Sequence, residues 1–350
     1  MSDIKQKPKS RKLFLSILVL IILVAVTVYF LMRNYDIDEI VASLGKMDYR
    51  HVLLGVSMLF LFILFGAFAV KTVAGPLGSR TGILKAIKYS CVDIYFSGIT
   101  PAATGGQPFV TYYMKKDGIP IYRSTIVILM TTMTYKIVLV IFGVLGYIFF
   151  PQIYFDTNAA VTSLSLFGLS INVILIILCA FGMFSKKMSG AIGSWMIKFL
   201  GKIKVIKNPQ KRLDSFDQTL NNYSEAARFI KENKSVMIKT LACSFLQRTA
   251  LFSVSYFVYR GLGFDAMNAL EIISLQAAIS LCVDSIPLPG AAGVTELAFI
   301  MLYGRAYPNE DVRATALLIT RGITYYLGVI VSGLVVLLSH IKGMALRKEE

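Results

Sequence analysis

Two clusters of proline and small residues interrupt apolar stretches of this chain, and they constrain its fold more than any other feature. The clusters are TPAATGGQP at 100–108 and PLPGAAGVTE at 287–296. They share a skeleton, because Pro101 and Gly105 match Pro289 and Gly293 with three small residues inside each pair. A helix interrupted in hydrocarbon leaves backbone N–H and C=O groups unpaired, which is tolerated only where protein or a watery cavity satisfies them. The clusters therefore indicate a weak internal repeat and a binding site.

Composition places these interruptions in a membrane. The chain is 56% hydrophobic and only 16% charged, with a mean hydropathy of +0.66, which is too apolar for a water-soluble globule. Stretches of about 20 apolar residues are long enough to cross roughly 30 Å of hydrocarbon. Six such stretches occur, at 13–32, 52–70, 124–150, 164–184, 236–259 and 312–338. We predict an all-α, polytopic membrane protein, in which the first stretch stays as an anchor because its apolar run is too long for a signal peptide.

The net charge of +16 is unevenly distributed along the chain. Alternate segments between the spans hold 26 Lys and Arg residues, whereas the intervening segments hold 6. Basic excess in a membrane protein marks the cytoplasmic side. We therefore predict a multi-pass membrane protein with both termini in the cytoplasm, and we expect no nucleic-acid partner.

The same charge pattern predicts what the two interrupted segments do. Lysines precede and follow the first segment on the same predicted cytoplasmic side, so 83–114 should enter the membrane and return. The second segment, 269–303, lies between sparsely basic outer loops and should enter from the opposite face. Each is a predicted re-entrant hairpin, and the two have inverted topology. An alternative stays open, since 83–99 and 269–286 are nearly long enough to cross fully.

These predictions divide the chain into five parts. They are a basic cytoplasmic tail at 1–12, a first membrane half at 13–184, cytoplasmic amphipathic helices at 185–234, a second membrane half at 235–340 and a cytoplasmic tail at 341–350. Within 185–234, apolar residues at helical spacing between 192 and 203 predict a helix on the inner leaflet. A narrow apolar seam follows; its members are Leu213, Phe216, Leu220, Tyr223, Ala227 and Ile230. This 213–230 seam either packs on the membrane region or binds a partner.

The sequence gives no sign of a catalytic or metal site. The cysteines, Cys91, Cys179, Cys243 and Cys282, all lie in apolar segments without CxxC spacing. The chain has no nucleophile elbow, no phosphate-binding GxxxxGK and no HExxH pattern. We therefore expect no catalytic residue, no metal and no cofactor, and an ordinary hydrolase or ATPase is not supported.

The first cluster is followed by Tyr112, Tyr113, Lys115, Lys116 and Asp117, and the second ends in GVTE. Together with the hydrophobic body, these motifs resemble the membrane region of the lysylphosphatidylglycerol synthases and flippases. That region is the membrane half of the bacterial multiple peptide resistance factor and also occurs in stand-alone form. The resemblance covers about residues 13 to 340. It implies a protein of the bacterial inner membrane that moves a phospholipid, typically aminoacylated phosphatidylglycerol, between leaflets.

Two departures from the family pattern affect this expectation. The family often has Glu before the proline of the first cluster, whereas this chain has Gln107, which removes a charge from the predicted site. The full synthases also carry a soluble domain that takes lysine from lysyl-tRNA, and the chain stops at Glu350 without room for one. We therefore expect no aminoacyl transfer by this chain unaided.

Ionisable groups in membrane segments are costly and normally face a cavity or a partner. Helix N-termini created after the two proline clusters would present free N–H groups to a phosphate, which glycines allow to approach closely. Arg248 and Arg321 could bind that phosphate together, each through two hydrogen bonds. Asp284 and Glu296 could then form ion pairs with a cationic aminoacyl group. The predicted headgroup-binding residues are Pro101, Thr104, Gly105, Gly106, Gln107, Lys136, Arg248, Asp284, Pro289, Gly290, Gly293, Glu296 and Arg321.

Alternatives remain for these residues and for the function. The arginines could form structural ion pairs with the acids, and the glycines could simply permit close helix packing. We predict a phospholipid translocase for phosphatidylglycerol or aminoacyl-phosphatidylglycerol; the alternatives are a phosphatidylglycerol lysyltransferase and a scaffold that binds a partner through the 213–230 seam. Expected partners are the membrane and an anionic or aminoacylated phospholipid, with a homo-oligomer or a separate lipid-modifying enzyme left open.

Overall fold

The chain folds almost entirely into helices. The computed structural model describes residues 37–79, 81–100, 105–155, 159–202, 216–284, 286 and 288–345, and no β-strand occurs among them. The helices of the first half are α1 (Ile37–Gly45), α2 (Tyr49–Ala74), α3 (Ile83–Ile99), α4 (Gly106–Lys116), α5 (Ile121–Phe149), α6 (Pro151–Phe155) and α7 (Ala159–Phe184). The later helices are α8 (Lys186–Lys202), α9 (Phe216–Glu232), α10 (Lys234–Gly261), α11 (Ala269–Val283), α12 (Val294–Leu302), α13 (Glu310–Arg321) and α14 (Gly328–Ala345), with a π-helical turn, Gly322–Leu327, between the last two.

Five helices in the described residues are long and apolar enough to cross a membrane. They are Tyr49–Ala74, Ile121–Phe149, Ala159–Phe184, Lys234–Gly261 and the continuous run Glu310–Ser339. Each contains or closely matches one of the predicted spans, so the all-α, polytopic class is confirmed. The remaining predicted span, 13–32, lies outside the described residues.

Helices α2 and α10 pack side by side in opposite directions. Near one end of the pair, the Asp48 amide donates to the Gly261 carbonyl oxygen at 2.9 Å. Further along, a Cβ on Gly66 would lie 2.6 Å from Gln247 Nε2, so glycine permits the close approach of the two helices. Because the helices are antiparallel, α2 and α10 end at opposite ends of the pair. The segments that follow them, α3 and α11, therefore start from opposite ends of the molecule.

The segment of α3 and α4 turns back to the end from which it starts. The Phe96 and Phe109 rings stack with centroids 3.6 Å apart on either side of the break. At the open end, the Tyr89 hydroxyl donates to Asp117 at 2.6 Å, and Lys88 forms an ion pair with the same carboxylate. We refer to 83–116 as the first hairpin.

The segment of α11 and α12 also turns back. The Tyr303 hydroxyl, just after α12, donates to Gln276 Oε1 in the middle of α11 at 3.3 Å. The ring of Tyr307 then packs edge-on against Phe264, which precedes α11, with centroids 5.2 Å apart. We refer to 269–302 as the second hairpin. The two hairpins thus start from opposite ends of the α2/α10 pair, and their re-entrance into a membrane remains a prediction.

Helices α8 and α9 occupy the predicted cytoplasmic part of the chain. The described part of the 213–230 seam is largely buried: Ala227 and Ile230 are 2% and 0% exposed, and α9 packs against α5 and α7. The Tyr223 hydroxyl donates to the Gly182 carbonyl oxygen at 2.6 Å, and burial raises the pKa of this tyrosine to about 12. Leu213 lies outside the described residues. The seam thus packs on the membrane region, the first of the two alternatives. On α8, Trp195 and Phe199 are exposed and stack on each other, as in an interfacial helix.

Candidate functional site: a polar cavity between two broken helices

The first break is bridged by one threonine. Helix α3 ends before Thr100, whose hydroxyl donates to the Phe96 carbonyl oxygen at 2.6 Å and accepts from the Gly105 amide at 2.9 Å. A Cβ on Gly105 would lie 3.0 Å from that same carbonyl oxygen, so glycine allows α4 to begin this close to α3. Pro101 and Thr104 lie outside the described residues, and their predicted role stays a prediction.

The second break contains two glycines in left-handed backbone conformations. Pro289 begins a short 3₁₀ turn, Pro289–Ala291; Gly290 has φ +58° and Gly293 has φ +85°, values that favour glycine. Glu296 Oε2 accepts from the Gly293 amide at 2.6 Å and closes the first turn of α12. Gly105 and Gly293, matched in the sequence repeat, both directly precede the short second helix of their hairpin.

Tyr325 joins the two breaks. Its hydroxyl donates to the Gly98 carbonyl oxygen of the first hairpin at 2.9 Å. Its ring lies against the second break, since a Cβ on Gly290 would be 2.5 Å from Tyr325 Cζ. Tyr325 stands in the π-helical turn, and such turns recur at functional sites. A cavity of about 260 Å³ opens here, with Ser97 of the first hairpin and Ser280 and Asp284 of the second among its lining residues.

Arg321, which lines the cavity, belongs to a buried ion pair. Arg321 Nε and Nη2 lie 3.0 and 2.9 Å from Glu296 Oε1, and Nη1 donates to the Gly290 carbonyl oxygen at 3.1 Å. The two residues are 7% and 3% exposed. The arginine guanidinium also lies over the Tyr325 ring, 4.8 Å from its centroid. The Glu296–Arg321 pair therefore has balanced charge and is tied to both the break and the π-helical turn.

A second group, the Asp284 cluster, carries more positive than negative charge. Lys136 Nζ donates to Asp284 Oδ2 at 2.7 Å and to Asn172 Oδ1 at 3.1 Å. Arg248 Nη2 lies 3.9 Å from Asp284 Oδ1, and its guanidinium stacks on the Tyr135 ring at 3.5 Å. Two cations therefore share one carboxylate. Arg248 Nε and Nη2, both buried, have no hydrogen-bond partner among the described residues.

The structure brings six of the thirteen predicted site residues to the cavity or to these two charged groups. Asp284, Gly290 and Arg321 line the cavity, Lys136 and Arg248 join Asp284, and Glu296 pairs with Arg321. Both arginines form ion pairs, as the alternative predicted, and each pairs with a different acid: Arg248 with Asp284, and Arg321 with Glu296. A joint clamp of both on one phosphate stays a prediction.

The predicted residues of the first hairpin carry no full charge. A Cβ on Gly106 would lie 2.1 Å from Asp93 Oδ1 and 3.0 Å from the Asp93 carbonyl oxygen, so this glycine allows close helix contact. Gln107, which is exposed, donates through Nε2 to Thr132 Oγ1 of α5 at 3.0 Å. These residues supply hydrogen-bonding groups to the first hairpin without adding a full charge.

Three residues that contact the charged groups, Asn172, Tyr135 and Tyr325, were not predicted. Asn172 had a usable signal, because it is the one amide side chain in the apolar stretch Ala159–Phe184. Tyr135 and Tyr325 had none, because aromatic residues are common in spans and the π-helical turn has no sequence signature in this chain. Among the described residues, no group of three His, Cys, Asp or Glu side chains is placed to hold a metal ion.

Comparison with known proteins gives one family. The model described as the lysylphosphatidylglycerol synthase TM region matches residues 14–332. No curated protein matches the chain at a significant level.

Proposed function

Because the chain belongs to the lysylphosphatidylglycerol synthase transmembrane-region family, a family of lipid modification or transport, we propose that it is a phospholipid translocase. Its substrates in this proposal are phosphatidylglycerol and aminoacyl-phosphatidylglycerol, moved between the leaflets of the bacterial inner membrane, with both termini of the chain in the cytoplasm. One observation carries the proposal. Two hairpins that start from opposite ends of the molecule have their breaks at one cavity, and that cavity is lined by charged and polar groups.

The interruptions in the two helices support a water-filled path rather than a closed apolar core. Unpaired peptide groups in hydrocarbon cost several kcal/mol each, roughly, unless water or protein satisfies them. In this chain Thr100, Arg321 and Glu296 satisfy some of the peptide groups at the breaks, and Leu288, Gly290 and Ala291 of the second break border the cavity. A headgroup passing between the leaflets would meet polar partners at the depth where the bilayer offers none.

The charges favour a headgroup that carries both signs. An anionic phosphate would be attracted to the Asp284 cluster, where Lys136 and Arg248 share one carboxylate. A cationic aminoacyl group would pair with Glu296, while the phosphate of the same headgroup would pair with Arg321. Such an exchange leaves neither buried charge unpaired, whereas an anion alone would leave Glu296 without its partner. Aminoacyl-phosphatidylglycerol is therefore the preferred substrate in this proposal.

The acyl chains would stay in the bilayer during this movement. Helix α7, for example, presents large apolar side chains such as Ile174 and Phe181 on its exposed side, at 54% and 52% exposure. The sequence has no GxxxxGK motif for nucleotide phosphates, so movement would run downhill or with an ion gradient.

Leaflet exchange in liposomes tests the proposal. Purified chain would be reconstituted with phosphatidylglycerol or alanyl-phosphatidylglycerol placed in one leaflet, and appearance in the other would be followed with time. We expect protein-dependent exchange that is faster for the alanyl lipid. Equal exchange with and without protein would reject translocation.

The two alternative functions predict different results. For a lysyltransferase, incubation with charged lysyl-tRNA and phosphatidylglycerol should label the lipid, and the proposal expects no labelling. For a scaffold, crosslinking should capture a stoichiometric partner on α9 even when Arg321→Ala is introduced. The buried state of Ala227 and Ile230 leaves little of that seam for a partner, which favours the translocase.

A further inference from the structure

A second cavity lies at the open end of the first hairpin. It has a volume of about 230 Å³ and is formed where α2 ends, α3 begins, α4 ends and α5 begins. Its lining residues are Gly78, Ser79, Thr81, Lys85, Asp117, Gly118, Ile119, Pro120 and Arg123. Twelve residues of α3 separate Lys85 from Ser97 at the central cavity, about 18 Å along a helix. The two cavities are therefore separate sites.

Two hydroxyl groups in this second cavity have no hydrogen-bond partner among the described residues. Ser79 Oγ and Thr81 Oγ1 are buried, each residue being 7% exposed, and neither makes a hydrogen bond with any described residue. A buried hydroxyl left unpaired costs about 1–3 kcal/mol. Two of them in one small cavity therefore point to a ligand that accepts hydrogen bonds there.

The charges around the cavity favour an anion. Arg123 Nε donates to the neutral Tyr122 hydroxyl at 3.1 Å, and neither Arg123 nor Lys85 makes an ion pair within the described part of the chain. Asp117, the one acid among the described lining residues, is already neutralised, since it pairs with Lys88 and accepts from Tyr89. Arg123 and Lys85 are thus left without an opposing charge from the residues that the structure describes.

Backbone N–H groups at the cavity also favour an anion. Gly82 precedes α3 and has no side chain to cap it, so the first amides of this 17-residue helix have no side-chain acceptor there. A helix N-terminus with free amides and a nearby Lys and Arg attracts phosphate. A Cβ on Gly82 or on Gly118 would meet nothing within 4 Å, so there is open space beside both.

We propose that this cavity binds a phosphate group, with Arg123 and Lys85 supplying charge and Ser79 and Thr81 donating hydrogen bonds. The phosphate could belong to a lipid headgroup at the membrane surface or to a free phosphate ester in water. The site does not depend on translocation, because it lies apart from the central cavity and its test measures binding alone.

Binding by the full chain in phosphatidylcholine nanodiscs tests the site with two probes. Glycerol 1-phosphate, titrated by calorimetry, reports a soluble phosphate ester; added phosphatidylglycerol, retained in native mass spectrometry, reports a lipid headgroup. We expect at least one probe to bind, with affinity reduced about tenfold by Arg123→Gln, since a charge-assisted hydrogen bond is lost. Binding of the soluble ester alone identifies a free phosphate, and retention of the lipid alone identifies a headgroup.

Two further variants and a control keep the test falsifiable. Lys85→Gln changes an exposed side chain and should fold normally, and the double variant Ser79→Ala, Thr81→Val removes only the hydroxyls; both should weaken the same probe. Lys115→Gln, an exposed lysine outside the lining, is the matched control and should bind as wild type. If neither probe binds, or if all variants bind like the control, the site is refuted. The same purified proteins would also be reconstituted in liposomes for leaflet exchange. Absence of phosphate binding by the wild-type chain with normal exchange refutes this site alone, and absence of exchange with normal binding refutes the translocase proposal alone.

Discussion

The two hairpins share a plan and differ in charge. Each has a first helix of 17 or 15 residues, a break, and a shorter helix that directly follows a matched glycine. At the first break the hydrogen-bonding partners Thr100 and Gln107 are neutral, and the Asp93 carboxylate of α3 lies close to Gly106. At the second, Asp284 and Glu296 are both paired with cations from other helices. The matched glycines also differ in backbone conformation, since Gly105 has φ −77° and Gly293 has φ +85°. The hairpins thus share an order of elements but not the ion pairs, and our proposal places headgroup discrimination in the second hairpin.

Breaking the Glu296–Arg321 pair should have the largest effect. Glu296→Leu leaves a buried arginine without its acid, and we expect a loss of about 3–5 kcal/mol in unfolding free energy. Denaturant unfolding in detergent would measure it. The matched change in the first hairpin, Gln107→Leu, removes a single neutral hydrogen bond and should cost about 1 kcal/mol.

The double variant Glu296→Leu, Arg321→Met separates structure from transport. Removing both members of a buried ion pair is often close to neutral for stability. We expect the double variant to recover most of the lost stability and to remain inactive in leaflet exchange. A double variant that transports at the wild-type rate would show that the pair is structural only.

Neutralising the excess cation of the Asp284 cluster should have the next largest effect. Lys136→Met leaves Asp284 with Arg248 as its partner, so folding should survive. Exchange of phosphatidylglycerol should fall about tenfold, equivalent to about 1.4 kcal/mol. Lys239→Met, which removes an exposed lysine on α10, is the control and should leave exchange unchanged.

Glycine substitutions should reveal different constraints in the two hairpins. Gly106→Ala would place its Cβ 2.1 Å from Asp93 Oδ1, and such overpacking costs about 1–3 kcal/mol. Gly293→Ala has open space around it but requires φ +85°, which costs about 1–2 kcal/mol for a residue with a Cβ. Gly182→Ala, in open space within α7, should instead stabilise by about 0.5–1 kcal/mol. Thermal unfolding of the three variants checks the ranking, and a destabilised Gly182→Ala would contradict it.

Adding an acid to the first hairpin should have the smallest effect. Gln107→Glu supplies the residue often found at this place in the family, and we expect exchange of alanyl-phosphatidylglycerol to rise a few-fold relative to phosphatidylglycerol. Competition between the two lipids in one liposome preparation would measure the ratio. An unchanged ratio would confine discrimination to the second hairpin.

Hydropathy and helix breakers predicted the fold well because both act locally along the chain. The spans around 52–70 and 236–259 need only composition, and the breaks need only proline and glycine. The sequence could not predict which acid pairs with which cation. Lys136 and Asp284 are 148 residues apart, and any acid in the membrane region was a candidate partner for either arginine. The role of Tyr325 depends on a π-helical turn and on a contact with Gly98, 227 residues away, and neither has a signature in the sequence.

Water access to the cavity tests the central claim most directly. In a background with the four native cysteines replaced, Ser97→Cys and Ser280→Cys would each be exposed to a hydrophilic, membrane-impermeant thiol reagent, with Ile174→Cys on the exposed apolar side of α7 as control. We predict that both cavity positions react in reconstituted membranes and that the control does not. If Ser97→Cys and Ser280→Cys are as protected as Ile174→Cys, the breaks do not border a wet chamber and the account is contradicted.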